Sequence, residues 1–290
     1  MQLKKVYKGW YVLPAFLVFF VLFLLPSIIG LFFSFTNWNV MSDGIKFIGF
    51  ENYKKIFMDK SMWQVFGNNV FYAVMTSLFK GAFGLLLALA LNRAIKTRNL
   101  LRTIFFLPMV ISNLIVGLVF QQILHPEHGV LNLFLNAAGL GALAQNWLIA
   151  PEIVMWSCVA IEVWKAAGFN MIIFLAGLQG VPQDMYEACD IDGAGAWQKF
   201  KRVTFPLIMP SVVINMLLNV ISGLKVFDVI FTLTNGGPGR ASEVINITIF
   251  KQFSMGDYGY GTALNTILFV VLSIISIAVI RIYTKDEEDV

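Results

Sequence analysis

Charge is scarce in this chain: Asp, Glu, Lys and Arg supply only 13% of its 290 residues, against 58% hydrophobic residues and a mean hydropathy of +0.75. That balance excludes an ordinary water-soluble domain. The only histidines, His125 and His128, flank Pro126 and Glu127 on one polar stretch. A metal centre needs more ligands at better spacing, and no Ser/His/Asp or Cys/His set can be assembled around them, so both are read as solvated. No Gly-x-x-x-x-Gly-Lys-Ser/Thr phosphate loop occurs, so the chain does not cradle ATP by that device and any such energy must come from a partner. Cys158 falls in an apolar run and Cys189 in a polar one, which argues against a disulfide. Low-complexity tracts and obvious internal repeats are missing too.

What is abundant is long apolar sequence. Runs at about 11 to 36, 69 to 91, 104 to 124, 153 to 179, 206 to 231 and 264 to 283 are each long enough to cross a bilayer core, which takes roughly 20 apolar residues. Six spans put both termini on one side. Lys4, Lys5, Lys8, Arg93, Lys96, Arg98, Arg102, Lys199, Lys201, Arg202, Arg281 and Lys285 would share that side. Only Lys46, Lys54, Lys55, Lys60, Arg240 and Lys251 would face the other. The bias makes the shared side cytoplasmic. It also accounts for most of the net charge of +4, which is therefore no argument for nucleic-acid binding. The first run is too long for a signal-peptide core, and Asn37-Trp38-Asn39 offers no cleavage site, so it reads as a retained anchor.

The expected organisation is a cytoplasmic N-terminus at 1–10, one six-span domain over 11–283 and a cytoplasmic tail at 284–290. In the outer loop from Asn37 to Asn68, GFENYKKIF suits a short interfacial helix. In the loop from His125 to Glu152, Gly-Val-Leu-Asn-Leu-Phe-Leu suits an amphipathic segment lying flat on the outer surface.

Between the fourth and fifth runs the chain turns polar. Pro182 suits a first helical position, and Asp184, Glu187 and Asp190 put acidic charge toward the helix N-terminus, predicting a helix from Pro182 to Ile191. Asp192-Gly193 is a turn signal. A second helix from Gly195 to Val203 would carry Lys199, Lys201 and Arg202 near lipid headgroups before Pro206 begins the next span.

A solvated inter-helix loop could share this composition, but the combined spacing is specific. Tyr186 to Pro210, YEACDIDGAGAWQKFKRVTFPLIMP, resembles the EAA loop of ABC-importer permeases, placed here at about 181–205. Glu187, Ala188, Asp192, Gly193, Ala194, Pro206 and Pro210 fit the family pattern, with Cys189 in place of the second Ala. The resemblance implies a coupling helix that docks into a cleft of an ATPase subunit, where Glu187 meets a basic residue, Ala188 permits close packing and Gly193 permits the turn. FIGFENYKKIF at 47–57, TNGGPG at 234–239 and KQFSMGDYGYGTALN at 251–265 are similar to the first-permease subunits of maltose, multiple-sugar and glycerol-phosphate importers. The chain lacks the extra N-terminal spans and large periplasmic insertion of the enterobacterial maltose permease, so the compact six-span form is expected.

Five ionisable residues, Lys80, Glu162, Lys165, Lys225 and Asp228, fall within predicted spans. A charge on the lipid face costs about 2.5–3.5 kcal/mol or more at a helix centre, so they should face protein or water. Glu162 with Lys165, and Lys225 with Asp228, stand three apart and could pair on their own helices. Alternatively they line a translocation cavity. Glu162, Lys165 and Phe169 share one helical face, and Asn215, Asn219 and Ser222 another; such amides, hydroxyls and rings suit a sugar. The resemblance directs substrate contacts to Glu162 through Phe169 and Asn219 through Lys225, making Glu162, Lys165, Phe169, Asn219, Ser222 and Lys225 the candidates. Gly81, Gly84 and Ala88 form a small-residue stripe suited to helix packing. Phe16, Phe19, Phe20 and Phe23 read as lipid-facing or core side chains.

The resulting expectation is an all-α membrane protein with the type I ABC importer permease fold, translocating a saccharide by alternating access in a bacterial inner or cytoplasmic membrane. It implies a second, homologous permease subunit, two ATPase subunits and an extracytoplasmic substrate-binding protein. The chain itself would bind no cofactor, ATP and Mg being held by the ATPase subunits, and would have no nucleic-acid partner. Alternatives are an acidic saccharide or glycerol-phosphate-type substrate, an ion-coupled secondary transporter, for which internal repeats and interrupted helices would speak, and a membrane enzyme.

Overall fold

The computed structural model describes residues 9–93 and 95–288. Lys4, Lys5 and Lys8 lie outside the described residues, as do the last two residues and the side chain of Lys285. Regular structure is helical throughout, and no β-strand longer than an isolated bridge occurs among the described residues. Among the described residues four helices are long and apolar enough to cross a membrane, or up to six when each of two bent pairs counts as one span.

The first of these, α1 (Trp10–Phe33), has no buried residue in its most apolar window, and Phe16, Phe19, Phe20 and Phe23 are all exposed. It widens into a π turn at Phe20–Leu24 just before Pro26, which has no N–H to give to the helix. After α2 (Glu51–Met58), a short helix where GFENYKKIF suggested one, α3 runs from Lys60 to Leu91. The second span therefore starts nine residues earlier than expected, because Ser61 to Asn68 continue the helix with no proline, Gly67 being accommodated within it.

The third span is not a single rod. Helices α4 (Arg98–Val110) and α5 (Asn113–Ile123) meet at 94°. Pro108 withdraws one donor near the end of α4, and Ile111 and Ser112 turn extended. Next come α6 (Val130–Ala137), at the amphipathic segment, and the straight α7 (Val154–Gln179), which is mostly buried. Helices α8 (Gln183–Ile191) and α9 (Ala196–Leu207) form the polar hairpin. Pro182 stands one residue outside α8 as its N-cap, with extended backbone.

The fifth span is broken twice. Helix α10 (Met209–Leu224) leaves α9 at 69°, since Pro210 lacks the N–H that would continue the ladder and its ring crowds the preceding turn. It ends at Lys225, and α11 (Asp228–Thr234) starts afresh after Phe227. Asn69 holds this second break: its amide donates to Leu224 O (3.1 Å), and its oxygen accepts from the N–H of Ile245, where α12 (Ile245–Ser254) begins. The last helix, α13 (Tyr258–Glu288), opens six residues before the expected span.

Two compact units divide the chain. The first takes Met1–Met62 and Thr248–Val271. Within it Asn52 donates to Ser34 O and Thr36 O, both at 2.9 Å, while Trp38 packs against Phe33 and Tyr258. The second takes Trp63–Ile247 and Leu272–Val290. Its core has one cluster around Tyr72, Cys158, Val159 and Ile230, and another around Ala88, Met171, Phe174 and Ile208. Small residues set the helix spacing. A Cβ on Gly84 would lie 2.5 Å from Asn170 Cβ, and one on Gly168 would lie 1.9 Å from Phe105 O. Ala88 is buried as the stripe requires, whereas a Cβ on Gly81 would meet nothing. Both cysteines are free.

Candidate functional site

The hairpin between α7 and α10 is fastened from within. Tyr186 Oη shares a hydrogen bond with Thr204 Oγ1 at 3.0 Å, Lys199 pairs with Asp190, and Gly195 N–H donates to Gln198 Oε1 at 3.0 Å. Gly193 turns the chain with φ +69°, a conformation that a Cβ would strain. These contacts leave Glu187, Ala188, Asp192 and Gly193 exposed and Ala194 half-buried. Among the described residues the Glu187 carboxylate has no hydrogen-bond or ion-pair partner, and its neighbours Met185 and Ile191 are exposed apolar side chains, Ile191 at 87%. An unpaired anion amid uncovered apolar surface, on a stapled hairpin, has the form of a docking element.

The intramembrane charges behave differently. Glu162 does not pair along its own helix with Lys165. Its Oε1 accepts from Lys80 Nζ of α3 at 2.6 Å, with the side chains 18% and 2% exposed. Lys165, only 6% exposed, donates to Asn113 Oδ1 in the first turn of α5, and Asn113 Nδ2 donates to Asp228 Oδ2 at 3.2 Å. The chain of contacts thus joins the first turns of α5 and α11, each just past a helix break, to the unbroken α7. Lys225 and Asp228 do not pair on one helix, because α10 ends between them. Lys225 is exposed at its C-cap.

Of the remaining candidates, Phe169 is half-buried and Ser222 exposed, its hydroxyl donating to Asn219 O at 2.9 Å. Asn219 is buried and donates to Asn170 Oδ1 (2.6 Å) and Asn215 Oδ1 (2.7 Å), so α7 and α10 meet through three buried amides. Sequence reasoning missed Asn113 and Asn170. Both are amides inside apolar runs, and that signal was available. Among the described residues no group of three or more His, Cys, Asp or Glu could hold a metal ion, and the ring of His125 stacks on that of His128 at 5.2 Å.

The profile of the family described as binding-protein-dependent transport system inner membrane component matches residues 80–287, taking in the charge network and the hairpin together. The chain belongs to this family. Membership in this transport-system family makes the chain a multi-pass inner-membrane component. Among relatives, the probable ABC transporter permease protein YurN of Bacillus subtilis is 32% identical, covering 99% of each chain. The trehalose/maltose transport system permease protein MalF of Thermococcus litoralis is also 32% identical, over 93% of this chain and 91% of its own. Among solved structures, a chain of a bacterial ABC transporter involved in the import of the acidic polysaccharide alginate superposes with a TM-score of 0.83 at 26% identity. The match covers 97% of this chain and 98% of that one.

Proposed function

We propose that this protein is the permease subunit of an ATP-driven importer that moves a saccharide, delivered by an extracytoplasmic binding protein, by alternating access. The observation that carries the reading is the near full-length match to a permease of the alginate importer, a transporter also solved with a pentasaccharide-bound periplasmic protein. Relatives that transport trehalose or maltose, starch degradation products and multiple sugars support the same substrate class. A second permease subunit and two ATPase subunits complete the assembly, and ATP and Mg belong to the latter.

The hairpin supplies the coupling. Glu187 is free to meet a cation on the ATPase, Ala188 and Gly193 allow close approach, and the internal fastenings let the hairpin move as one body. Coupling requires that it bind the two ATPase conformations with different free energy. The broken helices α4–α5 and α9–α10–α11 are the elements suited to reorient, since a helix interrupted at Ser112, Ile208 and Val226–Phe227 can swing about those points. Interrupted helices spoke for an ion-coupled transporter. Family membership displaces that alternative.

One observation favours a more specific substrate. Lys165 is buried, and among the described residues its Nζ meets only the neutral Asn113 oxygen, which leaves ammonium donors for an acidic sugar. Uptake into proteoliposomes by the co-purified complex, with its binding protein and a panel of neutral and acidic oligosaccharides, tests both statements. ATP-dependent uptake of any saccharide supports the importer, and uptake of uronic saccharides alone supports the charged substrate. Failure of ATP and binding protein to drive uptake of any of them contradicts the proposal.

A further inference from the structure

A recess of about 580 Å³ opens between the end of α3 and the hairpin. Leu85, Leu86 and Leu89 line it along α3, and Asn92 and Arg93 follow directly after the helix. At 1.5 Å per residue, the wall passes from leucine to guanidinium within about 12 Å. The hairpin closes the polar end with Trp197 and Lys199. Trp197 is 71% exposed and stacks on Phe200 with centroids 5.5 Å apart, an amphipathic ring of the kind found at headgroup level.

The charges at the polar end differ in their commitments. Lys199 is paired with Asp190, but Arg93 has no ion-pair partner among the described residues, and exposed Lys96, Arg98, Lys201 and Arg202 surround the same end of the spans. An unpaired guanidinium at the rim of a leucine-lined recess matches an amphiphile with a negative head. Glu187, Ala188, Asp192 and Gly193 do not line the recess, so its occupant and a partner docked on those residues would use different faces of the hairpin.

We propose that this recess binds an anionic glycerophospholipid from the leaflet beside the hairpin. Its phosphate is held at Arg93 and the first part of an acyl chain lies along Leu85, Leu86 and Leu89. Basic pockets at the ends of transmembrane helices recognise such headgroups, and guanidinium is suited to bidentate phosphate contact. The lipid would back the hairpin from the membrane side, whatever the transported substrate.

Native mass spectrometry of the complete transporter, titrated with phosphatidylglycerol or phosphatidylcholine, tests the site. The wild-type complex should retain phosphatidylglycerol more tightly. Arg93→Gln should weaken that retention roughly tenfold while leaving phosphatidylcholine unchanged, as loss of one charge-assisted phosphate contact implies. Leu86→Trp, which fills the apolar half, should weaken retention of both lipids. Lys96→Gln, which removes a neighbouring charge that does not line the recess, should leave retention unchanged. Equal retention of the two lipids by the wild type, equal losses in Arg93→Gln and Lys96→Gln, or phosphatidylglycerol binding seen only after the ATPase subunits are stripped away would each overturn the proposal.

Discussion

The hairpin of α8 and α9 and the interior of the bundle handle charge in opposite ways. On the hairpin, Asp190 and Lys199 fasten one helix to the other while Glu187 stays exposed and unpartnered. In the interior, Lys80 binds Glu162 and the buried Lys165 binds Asn113, whose amide in turn reaches the exposed Asp228. The contrast follows from solvent. Water tolerates a spare carboxylate at little cost, so a partner-facing group can wait unpaired. A spare charge within the apolar bundle has no such refuge. Spare polar capacity on the surface is therefore available to a partner, whereas paired polarity inside first serves the integrity of the spans.

Substitutions can break this contrast. The largest effect should come from Lys80→Ala or Glu162→Ala, each of which strands one buried charge at a cost of about 3–5 kcal/mol. The assembled permease should be lost or strongly depleted in fluorescence-detected size exclusion. Lys80→Met combined with Glu162→Leu should recover it, since the pair removed together leaves no orphan. A double variant as depleted as the single ones would show that the charges themselves are required.

Next in size is Gly168→Ala. Its methyl group would be driven into Phe105 O, forcing α4 away from α7 at about 1–3 kcal/mol, the usual range for overpacking. A lowered thermal unfolding midpoint in detergent checks it. Asn113→Ala removes the link between Lys165 and Asp228 and should cost about 1–3 kcal/mol by leaving polar groups unsatisfied. Transport should fall more than unfolding temperature does, because the link joins two helix breaks. Equal proportional losses would reduce Asn113 to a packing role. On the hairpin, Tyr186→Phe deletes only the bond to Thr204, and the expected loss is about 0.5–1.5 kcal/mol, read in the same melt.

Both regions were legible in the sequence to different depths. Apolar length located the spans, and Pro182 and Asp192-Gly193 marked the first hairpin helix and its turn to within a residue, because those signals are local. The second helix, expected to end at Val203 before Pro206 opened the next span, runs through Pro206 to Leu207. The bends beside Ser112 and Ile208 were written in Pro108 and Pro210 but were read as continuous spans, since hydropathy is blind to direction, and the break after Lys225 carries no proline. Pairing was the least legible. Lys80 and Glu162 lie 82 residues apart, and their meeting depends on how α3 and α7 pack, which Gly84 against Asn170 helps to fix. Spacing along one helix suggested Glu162 with Lys165 instead, but packing brings Lys80 of α3 to Glu162 at 2.6 Å while Lys165 turns to Asn113 of α5.

The central claim, that the hairpin is the coupling element of an ATP-driven permease, is tested most directly by Glu187→Lys. Transport and ATP hydrolysis should be measured on the same reconstituted complex. The account predicts normal membrane insertion and an unchanged unfolding midpoint, with transport abolished and ATP hydrolysis no longer responsive to the loaded binding protein. Unchanged transport per ATP hydrolysed would contradict it.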